Sequence, residues 1–119
     1  MKAGEVAFVG ALIHRNPALM PLLEEHLDDF DAVLPHLLLA DVTRWTVERA
    51  QQAQGHQDLE LQAVLEDLEN AFSNKSGDAR ELVGVSFLEN LPSKGQEGFE
   101  VRELLGPTMT SHVEEHLTW

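Results

Sequence analysis

His112-Val113-Glu114-Glu115-His116 is the string in this chain whose residue types and spacing most directly suggest chemistry. Two histidines at i and i+4 lie on one face of a helix and can share a zinc ion. The string also fits H-x-x-E-H, the inverted zinc-peptidase pattern. A zinc hydrolase needs a third protein ligand and an open position for water. In that pattern the third ligand comes well downstream, and here only three residues follow His116. A solvated terminal helix is therefore the expected reading, with no metal site and no cofactor. Nucleophilic catalysis finds no more support. Ser86 lies inside an apolar run with no glycine-flanked elbow, and the chain has no phosphate-binding glycine loop.

Carboxylates are the next candidates. Glu24, Glu25, Asp28, Asp29 and Asp31 form the densest acidic cluster. Pairs such as Glu24 with Asp28 repel one another at i,i+4 and weaken the helix that carries them. An EF-hand loop is excluded, since the alternating D-x-D-x-D-G series and its closing Glu are missing. Acid-base work would require carboxylates in opposed environments, and these all read as exposed. What remains is a solvated face or a docking surface for a basic partner. Glu66, Asp67 and Glu69 make a second acidic patch, on the polar side of a later helix. Asp41, Arg44, Trp45 and Glu48 form a third group, with Asp41–Arg44 at i,i+3 and Arg44–Glu48 at i,i+4. Trp and Arg are common interface anchors, although a Trp on an apolar stripe is more often core. His26 and His36 read as polar boundary residues.

The elements that must position these groups are helices. Val6, Val9, Leu12 and Ile13 share one face of a helix from about Glu5 to His14. Asn16-Pro17 reads as an N-cap followed by proline at the first helical position. Leu19, Leu23, Leu27 and Phe30 stripe the second helix, where Pro21 is tolerable only in the first turn. Pro35 marks a boundary. The third helix then runs over roughly His36 to Gln54 with Leu38, Val42 and Trp45 on a face, and Gly55 ends it. Asp58 is placed to cap a fourth helix reaching about Phe72, whose Leu61, Val64, Leu65, Leu68 and Phe72 make the cleanest amphipathic stripe in the chain. Asp78 with Glu81 resembles a capping box for a buried fifth helix over about Ala79 to Leu91; Val83, Val85 and Phe87 make a buried strand the competing reading, and the polar residues on either side favour the helix. In that helix Gly84 is expected to serve close packing. Pro92 to Gly98 is a loop, Phe99 to Leu105 a short helix, and Gly106-Pro107 a break before a last helix carrying Met109, Val113 and Leu117. The expected fold is all-α: one domain over residues 1–119, an antiparallel array of about six to seven helices, with a HEAT-like stack as one form it can take. No regular sequence period supports a true repeat.

Composition narrows the function classes. The chain has no Cys, which removes disulfides, thiolate zinc sites and thiol nucleophiles together. Its formal charge of −13 repels phosphate backbones and anionic membranes, so neither nucleic acid nor membrane is an expected partner. The same field favours basic proteins and speeds their encounter. No stretch approaches the ~20 apolar residues of a membrane span, and the run Val6 to Ile13 is too short and amphipathic for a signal peptide. A cytoplasmic location is expected.

Two strings carry a resemblance: Leu34-Pro35-His36-Leu37-Leu38-Leu39-Ala40-Asp41-Val42-Thr43-Arg44-Trp45, and Val85-Ser86-Phe87-Leu88-Glu89-Asn90-Leu91. With Pro17 to Leu27 and Leu104-Leu105-Gly106-Pro107, they resemble a family of small, acidic, uncharacterised bacterial helical proteins similar to toxin-immunity proteins. The resemblance covers most of the chain and implies no catalytic residue. It implies a bacterial, all-α, single-domain protein similar to immunity proteins; taken with the acidic charge, the expected function is a non-enzymatic binding module, an immunity protein that neutralises a basic, nuclease-type toxin. The acidic patches would steer association, and Trp45 or Phe99 would anchor it. The alternatives are a helical adaptor for another protein or a small metal-dependent hydrolase using His112 and His116.

Overall fold

A computed structural model describes residues 3–52, 57–74 and 77–116. These residues are all-α, and no strand occurs among them. The helices are α1 (Ala3–Arg15), α2 (Met20–Phe30), α3 (Pro35–Gln51), α4 (Leu59–Ser73), α5 (Asp78–Ser86) and α6 (Pro107–His116). Short 3₁₀ segments cover Pro17–Leu19, Leu88–Asn90 and Phe99–Leu104. No single described helix is long and apolar enough to cross a membrane.

Helix α5 is central. It packs against α1, α3 and α4, while α4 also meets α6, and α3 also meets α1, α2 and the 3₁₀ segment Phe99–Leu104. A solenoid differs in that each unit touches only its sequence neighbours. The core is one cluster to which all six helices contribute, α2 through the partly buried Leu22 and Leu23.

Helix α4 follows its sequence pattern closely. Leu61, Val64, Leu65, Leu68 and Phe72 are all buried, and fully burying each such side chain contributes ~1.5–3 kcal/mol. Asp58 caps the helix by accepting a hydrogen bond from the Leu61 amide at 3.0 Å. At its far end, Gly106 lies so close that a Cβ there would stand 2.6 Å from the Glu69 side chain, which explains the glycine.

Other elements depart from their patterns. The Asp78–Glu81 capping box does not form. Gly77 occupies the cap position and Asp78 is the first helical residue. Helix α5 stops at Ser86 rather than Leu91, because Phe87 turns the chain into the 3₁₀ segment Leu88–Asn90. That turn lets Phe87, Leu88 and Leu91 all enter the core. A Cβ on Gly84 would meet Phe72 at 3.5 Å, ordinary contact, so close packing does not require the glycine. The segment after the loop is 3₁₀ and ends at Leu104. Gly98, with φ +88°, seats it so tightly on α3 that a Cβ would fall 2.5 Å from Val47. Helix α3 starts one residue early, with Pro35 itself at the first position. Gly55, expected to end α3, and Leu117 lie outside the described residues.

Helix α2 departs most. Its expected stripe is only partly covered: Leu19 is enclosed, but Leu27 is 41% and Phe30 47% exposed. His26, expected at the boundary, is 1% exposed. The Leu34 amide lies ahead of α3 with no intrahelical acceptor, and it donates to His26 Nε2 at 3.0 Å. The His26 ring also stacks 4.9 Å from Phe30. With His26 turned inward, Leu19, Leu22 and Leu23 still pack on the core and Leu27 turns outward, while His26 Nδ1 has no hydrogen-bond partner among the described residues.

Candidate functional site

The rotation of α2 brings its acidic flank to the exposed face of α3. Between them lies a cleft of about 480 Å³, lined by Leu22, Glu25, Asp29 and Phe30 from α2 and by Asp41, Arg44, Trp45 and Glu48 from α3. Five of the expected binding residues (Glu25, Asp29, Asp41, Arg44 and Trp45) therefore meet in one place. The helical periodicity explains the set: Leu22, Glu25 and Asp29 follow at i, i+3 and i+7, as do Asp41, Trp45 and Glu48 at i, i+4 and i+7.

The floor of the cleft is aromatic. Trp45 is half-buried against the core rather than enclosed by it, and the Arg49 guanidinium sits 4.7 Å from the centre of its ring. Four carboxylates and one guanidinium surround this floor. Arg44 pairs with Asp41, as its spacing suggests, and makes no ion pair with Glu48 among the described residues. Glu25, Asp29 and Glu48 have no hydrogen bond or ion pair among the described residues. The arrangement can receive a positively charged side chain among these acids and beside Trp45, whose ring already carries Arg49.

Glu24, Asp28 and Asp31 lie outside the cleft and are exposed. Asp31 ends α2 in the left-handed conformation, with φ +54°, and its amide bonds to Leu27 O at 2.8 Å. The whole acidic set sits in a place that helix physics disfavours. Glu24–Asp28 and Glu25–Asp29 repel at i,i+4, and Asp28 and Asp29 oppose the negative end of the helix dipole. No basic residue occupies the last turn to offset them.

The acids of α4 are used differently. Asp67 accepts from Asn16 Nδ2 at 2.8 Å, and Arg15 approaches it at 3.8 Å, so it ties the end of α1 to α4. Asn16 was expected to cap the next helix with its side chain; instead its amide also bonds back to Leu12 O at 2.8 Å. Glu69 accepts from the Thr108 and Met109 amides at 2.9 and 3.0 Å and so caps α6 from another helix. Burial pushes the Glu69 carboxyl up, but these amides and the Thr108 and Ser73 hydroxyls outweigh it and hold it below its ordinary value. Glu66 is exposed and borders a smaller, mostly apolar hollow beside Leu104 and Pro107. Asp58, beyond its capping role, takes a two-pronged contact from Arg49 at 2.6 and 2.8 Å. Burial raises its carboxyl, yet Arg49 and the Leu61 amide bring it net below its ordinary value.

Three residues not expected to meet do so. His36 Nδ1 lies 2.5 Å from Ser86 Oγ, and His36 Nε2 lies 3.1 Å from Glu5 Oε2. The order serine, imidazole, carboxylate is that of a nucleophilic relay. Ser86 is 4% exposed, however, and Glu5 5%, and Ser86 sits at the C-terminal end of α5, where carbonyls rather than amide donors face outward. The trio joins α1, α3 and α5 as a polar tie. Thr43 strengthens it by donating to Ser86 O at 3.1 Å. Residue spacings of 31 and 50 leave no local signal of it in the sequence.

His112 and His116 do stack, with rings 4.8 Å apart, and His112 meets Phe72 edge-on. Burial, then His116 and Arg80, push the His112 ring below its ordinary value. Among the described residues no group of three or more His, Cys, Asp or Glu side chains is arranged to hold a metal ion. Phe99 is partly covered, with Arg102 5.3 Å from its ring.

The sequence profile of a domain of unknown function, DUF7674, matches residues 9–118. The chain belongs to this family. The DUF7674 match runs from the first core residue of α1 past the end of α6, so it includes the cleft and the acids of α2 and α4, but not Glu5. Searches of curated proteins and of solved structures found no match to the chain.

Proposed function

We propose that this protein is a non-enzymatic binding module whose α2/α3 cleft receives a basic side chain of a protein partner. The observation that carries this reading is the set of unbonded carboxylates of Glu25, Asp29 and Glu48 around the half-buried Trp45. Unpaired acids on a helix that they destabilise are costly unless something outside the chain uses them. The net charge of −13 acts in the same direction over longer range. The most specific form of the reading is a bacterial, cytoplasmic immunity protein that covers the active site of a basic, nuclease-type toxin. An arginine that such an enzyme uses for phosphate would suit the cleft, because guanidinium binds both carboxylate and aromatic faces.

The test is association with the protein encoded by the adjacent gene, followed by stopped flow across a salt series. A fast on-rate that falls steeply with salt is expected, together with loss of binding in Trp45→Ala and in Glu25→Gln/Asp29→Asn. Binding that ignores both salt and these substitutions would reject the cleft. Loss of toxicity without direct contact between the two proteins would reject the immunity form.

A further inference from the structure

The face of α2 turned away from the cleft carries a second pattern. Met20 and Leu27 are 40% and 41% exposed, seven residues apart. Glu24 falls between them on the same column and Asp28 flanks it by helical spacing, and Asp31 follows at the end of the helix. The column exists because His26, not Leu27, faces the core, which leaves apolar side chains outside. Met20 and Leu27 are thus partly covered by the fold and partly open.

Charge selects the occupant. A second copy of this chain, laid column to column, would bring Glu24, Asp28 and Asp31 against the same acids. An apolar partner without charge would leave those carboxylates desolvated and unpaired. An amphipathic helix with lysine or arginine beside its apolar stripe satisfies both components. If it runs antiparallel to α2, its positive N-terminal end also falls beside Asp28 and Asp31. We infer that this outer column of α2 is a second contact surface, and that it binds a basic amphipathic helix of the partner. The inference rests on the reading above that the partner is a basic protein. It adds that the partner grips α2 from two sides, by a side chain in the cleft and a helix on the outer column.

The probe is a synthetic helical peptide with leucines on its inner face and lysines flanking them, titrated against the full chain by fluorescence anisotropy. Two control peptides replace the leucines by serine or the lysines by glutamate. Met20→Gln/Leu27→Gln keeps helix-forming residues, and thermal unfolding checks that the fold is intact; Leu27→Met serves as the conservative variant. The leucine–lysine peptide is expected to bind, to weaken about tenfold or more in the double Gln variant, and to recover in Leu27→Met. The cleft variant Glu25→Gln/Asp29→Asn should bind this peptide within about threefold of the parent while losing the adjacent-gene protein, which separates failure of the column from failure of the cleft. The proposal is overturned if the serine control binds as tightly as the leucine peptide, if the folded double Gln variant binds unchanged, or if the chain self-associates through Met20 and Leu27 in sedimentation.

Discussion

Acidic residues on α2 and on α4 look alike in the sequence and are used in opposite ways. On and around α4 three carboxylates are engaged while Glu66 stays exposed: Asp58 holds the Leu61 amide and Arg49, Asp67 holds Asn16, and Glu69 holds the first amides of α6. On α2, Glu24, Glu25, Asp28, Asp29 and Asp31 are exposed, and their side chains make no hydrogen bond or ion pair among the described residues. Acidity alone does not separate a structural carboxylate from one available to a partner. The deciding quantity is whether stranded backbone donors or cations of the same chain lie within reach. Helix starts supply such donors, and the α4 region faces two of them, its own and that of α6.

Substitution should expose the difference. The largest stability effect is expected at Asp58→Ala, which removes a cap and leaves the half-buried Arg49 with only Glu60. A loss of roughly 2–4 kcal/mol in urea unfolding is expected. Glu69→Ala should follow at about 1–3 kcal/mol, because the Thr108 and Met109 amides lose their acceptor. A neutral result at both sites would dissolve the contrast.

The pH dependence sharpens it. Both the Asp58 and Glu69 carboxyls lie below their ordinary values of 3.8 and 4.5. A depressed carboxyl contributes stability that is full above its unfolded pKa and is lost as pH falls through the folded one. Unfolding free energy should therefore drop as the solution is acidified below about pH 4.5, and Glu69→Gln should flatten that slope. A slope that Glu69→Gln leaves unchanged would show that this carboxylate does not hold the α6 amides.

The smallest stability effect belongs to α2. Neutralising Asp28 and Asp29 together should stabilise the protein by roughly 0.3–1 kcal/mol, through relief of i,i+4 repulsion and of the helix dipole. The same change at Glu25 and Asp29 should abolish partner binding. Gain of stability at Asp28 and Asp29 with loss of binding at Glu25 and Asp29 is the pattern expected of a surface kept for recognition.

Much of the fold was legible in the residue pattern. The stripe of α4, its Asp58 cap, the boundary at Pro35 and the break at Gly106-Pro107 all depend on local periodicity and on proline and cap chemistry. These are short-range constraints, and they survive any tertiary arrangement. Half of the site was legible on the same basis. Trp45, Asp41 and Arg44 share a face of α3 by spacing alone, and Glu25 and Asp29 share a flank of α2.

That these two flanks form one cleft was not legible, because it depends on the rotation of α2. The residue pattern of α2 favours burying Leu27 and Phe30, and the fold buries His26 instead, whose Nε2 accepts from an amide eight residues away. The same holds for the tie of Glu5, His36 and Ser86, and for Asp67 and Glu69 as partners of other helices. A hydrogen bond between distant residues exists only after packing has brought donor and acceptor together. Residue pattern thus determined that the chain is helical and acidic. Tertiary structure decided which acids serve the fold and which face outward.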